Sequence, residues 1–167
     1  FWSIFIFIVL IDVLIESITG KNILGFGGEF YGKRIVSFFK DEPIVGGYLN
    51  GFYLIIIGFL LNEFKDNRNY LTIILSIIFL ISILLTGERS NTIKAILGIS
   101  IIFIFYKNLN IKKKVITLLA MLLIIFILIS NSLFLKARFI SQINSLSIKQ
   151  NNIYFQLYES GFEVFKN

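Results

Sequence analysis

Arg89 stands in the run Thr86-Gly87-Glu88-Arg89-Ser90, a few residues between two apolar stretches, with Glu88 as its immediate neighbour. That placement holds its guanidinium near a membrane surface. A permanently charged, planar group with a fork of donors binds phosphate bidentately, which suits a lipid diphosphate at that depth. The competing reading is an interfacial anchor whose stem snorkels, with Lys94 reaching the same level. A second cluster runs Gly32-Lys33-Arg34 and then Phe38-Phe39-Lys40-Asp41-Glu42-Pro43, leading into Gly46-Gly47-Tyr48-Leu49. Its mixed cations and carboxylates fit a substrate vestibule or a solvated loop with weak surface ion pairs. Gly46, Gly47 and Gly51 suit close helix packing. Asp12 and Glu16 share one helix face in the outer half of the first apolar stretch, where carboxylates are site candidates by default. Glu16, near the end of that stretch, is open to solvation. The glycines from Gly25 to Gly28 spell a weak phosphate-loop signal, because no strand and helix flank them as that chemistry requires. The chain has neither cysteine nor histidine, so disulfides, zinc sites and a histidine acid or base are excluded within it.

These residues are positioned by an unusually apolar chain. Of 167 residues, 56% are hydrophobic and 16% charged, and the mean hydropathy is +0.84, against roughly 25% charged residues in an ordinary soluble domain. Apolar stretches from Phe1 to Ile18, Val45 to Leu61, Tyr70 to Thr86, Thr92 to Tyr106 and Val115 to Leu135 approach or reach the roughly 17 to 25 residues that cross a bilayer. Their nearly continuous apolarity excludes barrel strands, which alternate. Recurrence along the chain excludes a signal peptide. The fold predicted is all-α, a polytopic transmembrane helical bundle of about five spans over residues 1–135.

Residues 136–167 open an extracytoplasmic loop. Within it, Phe139, Ile140, Ile143 and Leu146, then Tyr154, Tyr158, Phe162 and Phe165, repeat at helical spacing and predict amphipathic helices at the outer interface. The chain starts at Phe1 inside an apolar run and stops at Asn167; both ends read as truncations.

The net charge of +6 is scattered over short loops instead of forming one basic face, which argues against nucleic acid. The densest basic run, Lys112 to Lys114 with Lys107, places the loop after the fourth span in the cytoplasm. By alternation, the segment 62–69 is also cytoplasmic, while 19–43, 87–91 and the tail after Leu135 face outward. The outward segments nevertheless carry Lys21, Lys33, Arg34, Lys40, Arg89, Lys136 and Arg138, so the bias lies in density and those cations call for another reason.

Taken in order, Asp12 to Gly20 with Asn22-Ile23-Leu24-Gly25, then Arg34-Ile35-Val36-Ser37-Phe38-Phe39-Lys40-Asp41-Glu42-Pro43-Ile44-Val45-Gly46-Gly47-Tyr48-Leu49, then Leu85-Thr86-Gly87-Glu88-Arg89-Ser90, resemble the O-antigen ligase and O-antigen polymerase family. The resemblance covers the chain from Asp12 to about Tyr106. It implies a helical fold of the class-C glycosyltransferase kind in the bacterial inner membrane, with the active face periplasmic. It implies an undecaprenyl-diphosphate-linked glycan as donor, a glycan or lipid A-core acceptor, membrane lipids as surroundings, and no metal or other cofactor. At the matching positions it implies that Arg34 and Arg89 bind the donor diphosphate, with Lys40, Asp41 and Glu42 in the same outer vestibule. Lys33, Glu88 and Asp12 are further substrate-binding candidates, and the base that deprotonates the acceptor is either missing from this chain or is Glu42 or Asp12. The family's further loop motif, with Gly-x-Gly and a histidine, is not in this chain; Tyr158 to Lys166 resembles the helix that precedes it. A polysaccharide flippase or other transporter is the rival from another class. Its signature is repeat symmetry and broken helices, and no such symmetry stands out here. A noncatalytic membrane subunit is a third reading, in which the outer charges are dispensable.

Overall fold

The computed structural model of the chain describes residues 2–27, 34–40, 42–63, 69–106, 109–141 and 153–166. Every regular element among the described residues is helical: α1 (Trp2–Thr19), α2 (Val45–Glu63), α3 (Asn69–Leu85), α4 (Arg89–Phe105), α5 (Ile111–Asn131), the short α6 (Leu133–Lys136) and α7 (Ile153–Lys166), with a 3-10 turn at Ser37–Phe39 and a π-helical turn at Ala137–Ser141. The five apolar stretches correspond to α1 to α5.

Two boundaries are corrected. α4 starts at Arg89 and not at Thr92, so the arginine expected in a turn is the first helical residue. α5 runs from Ile111 to Asn131 and not from Val115 to Leu135, so Lys112 to Lys114 form its first turn and not a loop. Lys114 Nζ donates to Ile104 O at 2.7 Å, which sets a cation against the carbonyl end of α4, the negative pole of its dipole. At the far end of α5 the extended backbone of Ser132 breaks the helix. Ser132 Oγ then accepts the Leu135 N–H at 3.3 Å and starts α6.

Helices α2 and α5 are long and apolar enough to cross a membrane, whereas the apolar stretch Tyr70–Leu85 of α3 is shorter. All five long helices also present large apolar side chains outward, among them Ile4 and Ile8, Ile55 and Phe59, Leu71 and Ile74, Leu97 and Ile101, and Leu122 and Phe126. An apolar surface spread over five helices is a liability in water. Together these features point to membrane association. Hydroxyls in this setting turn back onto their own helices: Ser76 to Thr72 O, Ser82 to Ile78 O, Ser100 to Ile96 O and Thr117 to Lys113 O, which satisfies donors that have no water to meet.

The core centres on α2. Its fully buried Tyr53 lies 5.6 Å from the Phe79 ring of α3, and Phe7 of α1 meets Phe79 edge-on at 5.9 Å, a favourable aromatic geometry. Against α4, buried Thr92, Ala95, Ile99 and Phe103 form the contact face. Small residues set the approach of the two helices: a Cβ at Gly98 would lie 2.7 Å from Leu54 Cδ1, and one at Gly46 would lie 2.6 Å from Thr86 Oγ1. Gly51, expected to help packing, faces open space, as does Gly58. α5 is peripheral, with Thr117 and Met121 as its buried residues.

Gly98→Leu should therefore drive a branched side chain into Leu54 and lower stability in detergent by about 1 to 3 kcal/mol. Adding Leu54→Ala should recover much of the loss, and Gly58→Leu should leave the thermal midpoint unchanged. Equal midpoints for Gly98→Leu and Gly58→Leu would contradict the close α2–α4 approach.

Candidate anion site at the loop-bearing end of the bundle

The first cross-link at this end is made by two carboxylates of α1. Glu16, for which solvation was one of two readings, is only 3% exposed, and Asp12 is fully buried. Glu16 Oε1 accepts the Val36 N–H at 3.1 Å and Oε2 the Ser37 N–H at 2.7 Å. Asp12 Oδ1 accepts the Ile23 N–H at 2.8 Å, while its Oδ2 takes the Ser37 hydroxyl. Asn22 completes the clasp, donating to Ser37 O and accepting the Phe26 N–H at 2.8 Å. The chain can double back so tightly because α1 ends at Gly20, with a φ of +78° and its N–H bonded to Glu16 O at 2.8 Å. Such a left-handed glycine is a common helix stop. The segment 35–37 is thereby buried against the bundle, and Ser37 and Lys40 hold positive φ angles of 48° and 36°, conformations that persist where the surroundings over-determine them.

The second cross-link joins α2 to α4. Glu88, the immediate neighbour of Arg89 in sequence, accepts the Gly46 N–H at 2.8 Å with its Oε1 and accepts from Asn91 Nδ2 with its Oε2. The carboxylate therefore caps the first turn of α2, where amide N–H groups lack helical partners and negative charge is favoured. Arg89 is left at the start of α4 and half-buried, on the positive pole of that helix. Arg34 approaches from the loop: one of its terminal nitrogens donates to Pro43 O at 3.1 Å, just before α2. Its Nε–H is buried with no acceptor among the described residues.

A third segment joins them. Gly87, with a φ of +72°, lies against Phe134 so closely that a Cβ there would sit 2.7 Å from the ring, and Arg138 Nε donates to Gly87 O at 3.3 Å. The loop after α1, the α3–α4 turn and the segment after α5 thus meet at one end of the bundle. Arginines arrive from all three.

Comparison with family models, curated proteins and solved structures found no match.

Among the other candidate residues, Lys40 is exposed with its Nζ 5.3 Å from the centre of the Phe26 ring, a cation–π contact. Glu42 is exposed, and no described residue bonds its carboxylate. Lys33 and Asp41 lie outside the described residues. Asp12 and Glu88 are both engaged by backbone amides, so their roles in the geometry are to fasten segments. Of the glycines of the weak phosphate-loop signal, Gly25 and Gly27 lie in a closed turn, in which the Phe26 N–H goes to Asn22 Oδ1 and Gly27 abuts Gly20 O, and Gly28 lies outside the described residues. Sequence reasoning gave no role to Asn22, Ser37, Asn91 or Phe134 and treated Arg138 only as an unexplained outer cation. The spacing of Asp12 and Glu16 was the one available signal, since two carboxylates at membrane depth need donors from somewhere.

Glu16→Gln replaces one acceptor oxygen by an amide donor facing a buried N–H, at a cost of about 1 to 3 kcal/mol. Amide hydrogen exchange across residues 34–40 should accelerate by roughly one to two powers of ten, with Ser37→Ala giving a smaller effect. Unchanged protection in Glu16→Gln would contradict the clasp.

Proposed function

We propose that the protein transfers or polymerises a glycan carried on undecaprenyl diphosphate, at the extracytoplasmic face of a bacterial inner membrane, as a metal-independent inverting glycosyltransferase. The observation that carries this reading is Arg34. A buried guanidinium N–H without an acceptor is expensive, and an anion at the membrane rim supplies one. Arg89 supports it from the other side: a cation on the positive end of α4 is unfavourable by itself and favourable beside a bound phosphate. The residue pattern shared with the O-antigen ligase and polymerase family assigns these same two arginines to the donor diphosphate.

In this mechanism an acceptor hydroxyl oxygen attacks the anomeric carbon of the donor sugar. The bond from that carbon to the phosphate oxygen breaks, and the configuration inverts. The hydroxyl proton passes to a base, and the diphosphate leaves with its charge neutralised by Arg34 and Arg89. Within this chain Glu42 suits the base better than Asp12, whose two oxygens already accept hydrogen bonds. The basic first turn of α5 supports a cytoplasmic start for that helix by the positive-inside bias; with five spans, the arginine-bearing end then faces outside.

In proteoliposomes holding the full-length protein and the lipid-linked glycan, Arg34→Ala and Arg89→Ala should each reduce transfer by about 10²- to 10³-fold with membrane insertion intact. Arg89→Lys should be intermediate, since it keeps the charge and loses the fork. Full activity of both alanine variants would refute the assignment. Reporter fusions placing Ser90 on the same side as Lys113 would refute the orientation.

A further inference from the structure

We infer that the bundle holds a buried water-binding site between α2 and α3, formed by the side-chain carbonyl of Asn50 and the hydroxyls of Tyr53 and Ser82. It lies one to two turns of α2 below Gly46, roughly 6 to 10 Å into the bundle, and is independent of the arginine-bearing corner and of the function proposed above. Tyr53 is fully buried, and neither its hydroxyl nor the buried side-chain oxygen of Asn50 has a hydrogen-bond partner among the described residues. Buried polar atoms of this kind are satisfied in nearly all folded proteins, by protein groups or by ordered water.

Helix register brings the three groups together. Asn50 and Tyr53 stand three residues apart on α2, so they are neighbours on one face, and a helical tyrosine leans toward the N-terminus, over the turn that holds Asn50. Across the interface Gly46 faces Thr86, and Tyr53 faces Phe79. Seven residues forward on α2 thus correspond to seven residues back on α3. Four forward from Gly46 is Asn50, and four back from Thr86 is Ser82, which is also fully buried. The Ser82 hydroxyl gives its proton to Ile78 O at 3.0 Å and keeps a lone pair to accept with. Donors and acceptors balance around one water: Tyr53 donates to it, and its own two hydrogens go to Asn50 Oδ1 and Ser82 Oγ. About three such bonds are usual for a buried water. Thr72 is buried as well, with a hydroxyl that meets no partner among the described residues. By the same register it stands opposite Leu60, so no second polar group shares a water with it.

The sign of one conservative substitution tests the site. In the full-length protein in lipid bilayers, Tyr53→Phe should lower the midpoint of thermal unfolding by roughly 2 to 4 °C, because it removes the bond that the water accepts. A hydroxyl buried without water behaves oppositely, since deleting it relieves a stranded donor and raises the midpoint. Tyr53→Phe combined with Asn50→Leu should change the midpoint by less than the two single changes together, because the pair is coupled through the water. Thr72→Val, ten residues from Ser82, should add to Tyr53→Phe without coupling. Solid-state NMR on protein carrying isotope-labelled asparagine reads the water itself: magnetisation from water protons should reach the Asn50 side-chain amide in the wild type and fall to background in Tyr53→Phe. A raised midpoint in Tyr53→Phe overturns the inference, as does simple additivity of Tyr53→Phe and Asn50→Leu. Coupling without the water signal overturns it too, since that is the result of a direct hydrogen bond between the two side chains.

Discussion

A backbone amide taken out of water must find an acceptor, and a chain that leaves one helix and doubles back over the end of a bundle exposes several amides to that demand at once. Here carboxylates meet it. Glu16 receives two consecutive amides of the returning loop, Asp12 receives one amide and a hydroxyl, and Glu88 receives the Gly46 amide in the first turn of α2. Each carboxylate fastens a segment that belongs to a different part of the chain. The Glu88 carboxylate, beside Arg89 in sequence, is thereby engaged by Gly46 and Asn91.

The consequence reaches outward along the chain. With Val36 and Ser37 pinned to α1, Arg34 is held two residues away from an anchored point, and its terminal nitrogen reaches Pro43. With Gly46 pinned to Glu88, α2 starts against the α3–α4 turn, and Gly87 in that turn is open enough for Phe134 to close over it. Glycine serves a steric purpose at Gly46 and Gly87, where any Cβ would meet Thr86 or Phe134. At Gly51 and Gly58 it serves no contact.

The helices were legible because a run of apolar residues long enough to approach membrane thickness admits few other structures. Their ends were less so. Hydropathy places a boundary where polarity changes, but a helix begins where its hydrogen bonds begin, and charged residues in a first turn are compatible with both; hence Arg89 and Lys112 to Lys114 moved from loop to helix. The candidate carboxylates were also visible as an i, i+4 pair, yet their partners were not. Those partners are backbone amides and one hydroxyl, 11 to 25 residues away, and any residue type could have supplied the amides. Arg138 was hidden for the same reason: the group it bonds is a glycine carbonyl, which leaves no trace in side-chain pattern.

What distinguishes this end of the bundle from a merely well-fastened loop is the choice of which helix end receives the negative charge. The Glu88 carboxylate sits between two helix N-termini and bonds that of α2, where it relieves an unpaired amide and the local dipole together. The other N-terminus, that of α4, begins with Arg89 and so carries positive charge on a positive pole. A fold under selection for stability alone is served by a neutral or acidic residue at that position, because every alternative there improves the electrostatics. The same reasoning applies to Arg34, whose buried Nε–H lacks an acceptor among the described residues, where a hydrocarbon side chain avoids the penalty altogether. Both features are unfavourable by themselves and arise from separate causes, and the anion of the proposed function is a single species that would relieve both.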